Sequence, residues 1–385
     1  MKKLAALCLV ILLIFCAAAC SKRSDSGENE ISYDVSSVEE NNSEDSSVSS
    51  ESEIGSGGSE AIEDSESSQD AGSLDGGNEP VDQDPVDPPE FLTTLPIPSS
   101  LTAPNTAKHG SVETITYETK VYDINGNGTG TVEKRADVYL PYGYDPDDSS
   151  TRYNVLYLMH GGGETYTYWL TQNRNTVNML DNMFASGKAE PCIVVAPTFY
   201  TGTASGMDSS ATDVFRWEFR NDLVPTVEAA YNTYAHRNGS TAKIPTSRLV
   251  ATREHRGFAG LSMGSMVSIR SILIGCLDIC AYINSMSGGY DANDSNTQTG
   301  FNLIKESITE TFKNYPIKYW FNHNGTNDMA LAPHENLKGM ILSDGELSDY
   351  LQDDVNYKWI KFQGGAHDYT SWIVGTYNCL LVFFK

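Results

Sequence analysis

The chain has 385 residues, 39% of them hydrophobic, and a formal net charge of −25 at pH 7. So acidic a chain is not suited to bind nucleic acid, whose phosphates attract basic surfaces. Its seven cysteines form no C-x-x-C pair and have no zinc-ligand spacing with histidines, so we expect no metal and no cofactor.

The first 20 residues have the pattern of a secretory signal. Lys2 and Lys3 precede an apolar run, Leu4–Phe15, that is shorter than the roughly 20 residues of a membrane span. Cys20 directly follows three alanines, which resembles a bacterial lipoprotein signal, in which this cysteine becomes the lipidated first residue. We therefore expect an exported, extracellular cell-surface lipoprotein held on the membrane through Cys20. An ordinary signal peptide with an incidental cysteine is the alternative.

Residues 21–90 differ sharply in composition from the rest. Ser, Glu, Asp and Gly dominate, and 21 acidic residues face only Lys22 and Arg23, so this stretch carries −19 of the net charge. Such a segment buries too little apolar surface to offset its ordering entropy, and its charges repel each other. We interpret it as a disordered linker that holds a domain away from the membrane.

Residues 91–385 are long enough for one large domain with its own core. Two antiparallel strands are predicted first, at Val112–Tyr122 and Gly130–Leu140. Short apolar runs typical of buried parallel strands follow, at Asn154–His160, Cys192–Pro197, His255–Gly260, Ala281–Ser287, Ile317–Asn324 and Lys358–Gln363.

Longer segments between these runs are predicted to form helices, at Trp169–Ser186, Phe215–Tyr231, Ser265–Leu277, Asn302–Asn314 and Leu347–Asn356, and a terminal helix at Thr370–Phe384. The alternation predicts an α/β fold, a three-layer α/β/α sandwich with a mostly parallel central sheet and antiparallel N-terminal strands. Ligand sites in such sheets lie beyond the carboxyl ends of the strands. The domain's cysteines are expected to be buried free thiols, with one disulfide left open: Cys192, Cys276, Cys280 and Cys379.

The stretch Gly260-Leu-Ser-Met-Gly264 matches the G-x-S-x-G pattern of a nucleophile elbow. Glycines two before and two after the serine allow a sharp strand-to-helix turn. The turn exposes the hydroxyl of Ser262 and leaves the next backbone N–H, that of Met263, free to face a substrate oxyanion. A Gly/Ser-rich loop without chemistry is the alternative.

A second glycine-rich stretch, His-Gly-Gly-Gly at 160–163, directly follows an apolar run. It resembles the oxyanion loop of esterases, in which glycines let the backbone approach a carbonyl. We expect Gly162 to be the donor in this loop, with Gly161 next, and Met263 to supply the second N–H. His160 is expected to anchor the loop.

The third stretch is Gly364-Gly-Ala-His367, after the last predicted strand. A histidine there suits a general base near neutral pH, and the chain order serine, acid, histidine is that of α/β-hydrolases. His323 and His334 are the alternatives.

Asp328, in the loop after the penultimate strand, is the expected acid that holds the imidazole tautomer. The alternative is that it only forms a turn. Its competitors are Asp291, Asp294 and Asp344. Asp368 is set aside because adjacent residues rarely point at each other.

Together these stretches make the domain similar to the feruloyl esterase and acetylxylan esterase group of α/β-hydrolases, known as carbohydrate esterase family 1 or esterase D-like. The likeness is carried by His160–Gly163 with Trp169, Asp222–Pro225 with Glu228, Gly260–Gly264, Gly325–Asp328, and Gly364–His367 with Trp372. It implies Ser262 as nucleophile, His367 as base and Asp328 as acid.

The sequence thus predicts an exported serine esterase that hydrolyses feruloyl or acetyl esters on plant cell-wall xylan, with a polysaccharide or oligosaccharide ester as partner. Trp169 and Trp372 are the candidate substrate-binding residues, although core positions remain open for them. A small-ester hydrolase or acyltransferase, and a surface carbohydrate-binding lipoprotein without turnover, are the alternatives.

Overall fold

The computed structural model describes residues 92–201, 206–292 and 294–385. The predicted signal (1–20) with Cys20 and the predicted linker (21–90) lie outside the described residues, so their boundaries stay predictions. Within the described ranges, no helix is both long enough and apolar enough to cross a membrane.

One sheet of eight strands runs through the described part of the chain, in the order β1-β2-β4-β3-β5-β6-β7-β8. β1 and β2 run antiparallel to each other, as do β2 and β4, and the remaining neighbouring strands are parallel. The strands are β1 Ser111–Tyr122, β2 Gly128–Leu140, β3 Asn154–Met159, β4 Cys192–Ala196, β5 Arg256–Leu261, β6 Tyr282–Met286, β7 Tyr319–Gly325 and β8 Tyr357–Phe362. Every predicted strand is present, within one or two residues at most ends.

Helices cover both faces of this sheet, because its central strands are apolar on both sides. In β3, Val155 and Tyr157 join one hydrophobic core, whereas Leu156 and Leu158 join the other. Helices with residues in the first core are Ala211–Glu218, Val224–Ala230, Thr246–Ala251, Met263–Val267, Thr297–Glu306 and Leu331–Ser343; those in the second are Ser99–Thr102, Arg174–Ala185 and Tyr369–Leu380. The predicted three-layer fold class is confirmed.

Single turns of tighter or wider helix extend several of these helices or lie beside them. The π-helical turns are Tyr168–Gln172, Phe219–Leu223, Ser268–Leu273 and Ser307–Thr311, and the 3-10 turns are Arg253–His255, Asp294–Asn296 and Leu347–Asp349.

The helix predicted at Leu347–Asn356 is wrong. Only the 3-10 turn Leu347–Asp349 forms there, and the connection from β7 to β8 is made by the helix Leu331–Ser343. Pro333 does not prevent that helix, because a first-turn residue needs no N–H donor. Its buried side chains follow the helical period, at His334, Leu337 and Ile341.

A buried ion pair ties the helix Val224–Ala230 to the start of β5. Arg256 Nη2 donates to Glu228 Oε2 at 2.6 Å, and the two residues are 1% and 2% exposed. Arg256 Nη1 also donates to the carbonyl oxygen of Leu249 at 3.2 Å, so the guanidinium is satisfied on several sides.

The cysteines of the domain are buried free thiols, as expected, and burial raises the pKa of each: Cys192, Cys276, Cys280 and Cys379.

The order of the strands places a crevice at the carboxyl ends of β3 and β5. The chain passes from β3 to β4 on one side of β3, and then to β5 on its other side. The connections after neighbouring strands therefore diverge, which is where open α/β sheets bind ligands. Met159, the last residue of β3, pairs with Gly260, so the glycine loop at 160–163 lies opposite Ser262.

Candidate active site

Ser262 occupies a sharp turn between β5 and the helix Met263–Val267. Its backbone has φ 53° and ψ −118°, a conformation that L-residues rarely adopt. Both flanking glycines are needed: a Cβ on Gly260 would lie 2.0 Å from the carbonyl oxygen of Gly264, and one on Gly264 would lie 2.5 Å from that of His160. The turn leaves the half-buried serine at the carboxyl edge of the sheet.

Two loops bring a histidine and an aspartate to this serine. His367 Nε2 lies 3.0 Å from Ser262 Oγ, and His367 Nδ1 lies 2.8 Å from Asp328 Oδ1. Asp328 follows β7 and His367 follows β8, so the three residues come from the carboxyl ends of three parallel strands. This places the serine hydroxyl, the imidazole and the carboxylate in one line of hydrogen bonds.

The Asp328 carboxylate is fully bonded although its side chain is completely buried. Oδ1 accepts from His367 and, at 2.9 Å, from the backbone N–H of Ala330, and Oδ2 accepts from the hydroxyl of Ser287. Burial raises the pKa of Asp328, but the hydrogen bonds from His367, Ser287 and Ala330 outweigh it and hold the pKa below its usual value. The ionised carboxylate therefore keeps the His367 proton on Nδ1 and leaves Nε2 to accept from Ser262.

The other histidines considered as the base, His323 and His334, are buried. Burial lowers the pKa of His323 to about 4 and that of His334 to about 3. His160 anchors its loop, as expected: its Nδ1–H donates to the carbonyl oxygen of Gly161 at 2.7 Å, and Nε2 accepts from Thr198 Oγ1 at 2.8 Å.

The other carboxylates considered as the acid are engaged elsewhere. Asp291 faces Arg270 at 3.6 Å, and Asp344 faces Lys305 at 2.9 Å. Asp368 caps the C-terminal helix by accepting from the backbone N–H of Ser371. The side chain of Asp294 lies outside the described part of the structure.

The glycine loop offers one of the two backbone N–H donors that were expected in it. The N–H of Gly161 donates to Glu164 Oε2 at 2.8 Å, so it is not free to bind an oxyanion and the expectation for Gly161 is corrected. The N–H groups of Gly162 and Met263, by contrast, have no hydrogen-bond partner among the described residues. These two N–H groups remain the candidate oxyanion donors.

Glu164 is a site residue that the sequence analysis missed. Burial raises its pKa, although the N–H of Gly161, the hydroxyl of Tyr369 at 3.2 Å and the nearby His367 oppose this shift. Its position four residues after His160 in the glycine loop was the only available signal.

Met207 lies over the same loop. A Cβ on Gly162 would come within 2.6 Å of the sulfur atoms of both Met207 and Met263, so two thioethers flank the Gly162 backbone. The N–H of Gly163 donates to Gly206 O at 2.7 Å and to the Tyr200 hydroxyl at 3.0 Å, which ties Met207 to the loop. Met207 is nevertheless 72% exposed.

Both tryptophans predicted to bind substrate are buried, which corrects that expectation. Trp169 is 1% exposed and its indole N–H donates to the carbonyl oxygen of Met159 at 3.0 Å. Trp372 is 6% exposed, its indole N–H donates to Ser287 Oγ, and its ring packs edge-on against His367 at 5.1 Å. Trp169 therefore supports the end of β3, and Trp372 supports the turn after β6.

With this geometry established, comparison with known proteins identifies the family. Over 75% of this chain and 93% of the other, the structure is similar to a mutant of the feruloyl esterase module from Clostridium thermocellum complexed with sinapinate, with 32% sequence identity and a TM-score of 0.63. The chain belongs to the feruloyl esterase family. This confirms the suspected resemblance, the α/β-hydrolase fold and the enzyme class, a carboxylic ester hydrolase.

Further relatives of this feruloyl esterase-family chain agree in fold or in sequence. A CE1 ferulic acid esterase from Anaeromyces mucronatus, 18% identical, shares the fold over 76% of this chain and 98% of that one, with a TM-score of 0.57. Endo-1,4-beta-xylanase Y of Acetivibrio thermocellus is 36% identical over 54% of this chain, and an endo-1,4-beta-xylanase/feruloyl esterase of Xylanibacter ruminicola is 30% identical over 47%. The matches span only 17% and 22% of these two curated relatives. No protein-family model matches the chain.

Proposed function

We propose that the protein is an exported serine esterase that hydrolyses feruloyl or acetyl esters on plant cell-wall xylan. The observation that carries the proposal is the line of hydrogen bonds from Ser262 through His367 to Asp328, at 3.0 and 2.8 Å. Ser262 is the nucleophile, His367 the base and Asp328 the acid.

In the first half of the reaction, Ser262 Oγ attacks the ester carbonyl carbon while His367 Nε2 takes its proton. The negative charge on the carbonyl oxygen is bound by the N–H groups of Gly162 and Met263. His367 then returns the proton to the departing sugar oxygen, which leaves an acyl-enzyme. Water, deprotonated by the same imidazole, releases the acid and restores the serine.

An aromatic acyl group is favoured by the surface beside the oxyanion donors. The thioethers of Met207 and Met263 flank the backbone of Gly162, one of the two proposed oxyanion donors. Thioether sulfur makes favourable contacts with aromatic rings. The similarity to a feruloyl esterase module and to an endo-1,4-beta-xylanase/feruloyl esterase agrees with a phenolic ester on xylan.

Export and anchoring are also part of the proposal, and they rest on sequence alone. The signal pattern of residues 1–20 and the position of Cys20 after three alanines support a cell-surface lipoprotein with a solvated acidic linker. Incorporation of labelled fatty acid into the wild type, and its loss in Cys20→Ala, tests this part. No label on the wild type would remove the anchor.

The catalytic part is tested by measuring ferulate and acetate released from feruloylated and acetylated xylan oligosaccharides, with Ser262→Ala as control. We expect ferulate release that the mutation abolishes. Acetate alone would keep the mechanism and change the acyl group. Labelling of Ser262 by a fluorophosphonate without release of either acid would favour a small-ester hydrolase or acyltransferase. Polysaccharide binding without labelling would favour a binding lipoprotein.

A further inference from the structure

Ser287, directly after β6, has a backbone conformation that is unusual for serine. Its φ is 56°, in the left-handed region that favours glycine, and the residue is 1% exposed. Its N–H donates to the carbonyl oxygen of His323 at 2.8 Å, which holds the turn against β7. Strained residues of this kind persist where the surrounding structure fixes them, and they cluster at functional sites.

The Ser287 hydroxyl bridges two groups of the site. It accepts from the indole N–H of Trp372 at 2.7 Å and donates to Asp328 Oδ2. An indole nitrogen can only donate, so Ser287 Oγ has to accept there, and its own proton is left for the carboxylate. Because an ionised carboxylate can only accept, the indole and the carboxylate together fix the direction of both bonds to Ser287.

The bridge closes a ring of contacts around the imidazole. Trp372 packs edge-on against His367 at 86° between the planes, and Asp328 Oδ1 binds the Nδ1–H of the same ring. Loss of the Ser287 hydroxyl would leave Asp328 Oδ2 buried without a partner and free the carboxylate to rotate. His367 would then lose its orientation toward Ser262.

We propose that Ser287 is a positioning residue, which acts through Asp328 on the orientation of His367. The proposal deepens the proposed function and rests on it. Misplacement of a base by about 1 Å costs on the order of 100-fold in rate. We therefore expect a fall of about 10- to 100-fold in kcat when the hydroxyl is removed, with KM little changed.

The test compares Ser287→Ala and Ser287→Gly in the full-length protein, because glycine also relieves the strained φ. Ser285→Ala is the matched control: Ser285, two residues earlier on β6, is also buried and accepts an indole N–H, from Trp320 at 3.2 Å. Urea unfolding checks that each variant is folded. Methyl ferulate turnover and the rate of Ser262 labelling by a fluorophosphonate are then measured.

Both variants at Ser287 are expected to lose turnover and labelling rate together, whereas Ser285→Ala keeps both. KM for methyl ferulate should stay near the wild-type value in both variants, because the buried Ser287 side chain does not touch substrate. Folded Ser287 variants with wild-type labelling, or an equal loss in Ser285→Ala, would overturn the proposal. A wild type that is labelled but does not cleave methyl ferulate would count against the feruloyl substrate alone, since labelling still tests Ser287.

Discussion

Replacing Ser262 by glycine is expected to make the protein more stable than replacing it by alanine. Both variants lose the hydroxyl and its bond to His367, so their difference isolates the backbone at φ 53° and ψ −118°. Alanine keeps the Cβ that makes this conformation unfavourable, whereas glycine does not. The elbow strain would thus appear directly as a difference in unfolding free energy.

The size of this difference follows from two opposing effects. A non-glycine residue in such a region costs about 1–3 kcal/mol. Glycine gives back about 0.5–1 kcal/mol, because its unfolded chain is more flexible. Glycine at Ser262 should therefore be about 0.5–2 kcal/mol more stable than alanine, which corresponds to about 1–4 °C in Tm for a domain of this size.

Urea unfolding and thermal melting of the two variants measure this directly, with fluorophosphonate labelling as the check that neither has a working nucleophile. Equal slopes in urea would show that the two variants expose the same surface on unfolding. A Ser262→Gly variant less stable than Ser262→Ala would refute the argument that the elbow stores strain at this residue.

Four further predictions follow from the structure. Glu228→Gln leaves the buried Arg256 without its counter-charge and should cost about 3–5 kcal/mol in urea unfolding; a loss under about 1 kcal/mol would contradict the role of the pair. Since burial lowers the pKa of His323 to about 4, the unfolded chain takes up this proton first, near pH 6.5. The stability contributed by the neutral ring is therefore present above pH 6.5 and is lost as pH falls toward 4. Replacing the ring, in His323→Phe, should make the urea midpoint less dependent on pH between 6.5 and 4. Glu164→Ala frees the glycine loop and should lower kcat/KM about 10- to 100-fold, whereas Glu164→Gln keeps an acceptor and most activity; equal losses would mean that the charge matters more than the hydrogen bond. Met207→Ala should reduce the preference for feruloyl over acetyl esters, measured as the ratio of the two kcat/KM values, and an unchanged ratio would exclude a contact with the aromatic ring.

Local patterns in the sequence were sufficient for the strands and for the three loops of the site. The buried strands are short apolar runs bounded by polar turns, and both glycines that flank the elbow serine can be read directly from the sequence. Where the pattern was weaker, the prediction was wrong: the helix Leu331–Ser343 was not predicted, although His334, Leu337 and Ile341 have helical spacing.

The sequence by itself therefore determined the layered architecture, the elbow at Ser262 and the order in which serine, acid and histidine follow their strands, because each depends on neighbours along the chain. Only the tertiary structure decided which groups meet across it. It showed that Glu164 uses the N–H of Gly161, that Trp169 and Trp372 are buried, and that Ser287 joins Trp372 to Asp328. These contacts join residues on different strands and loops, and their partners depend on side-chain direction and strand register, which no local pattern contains.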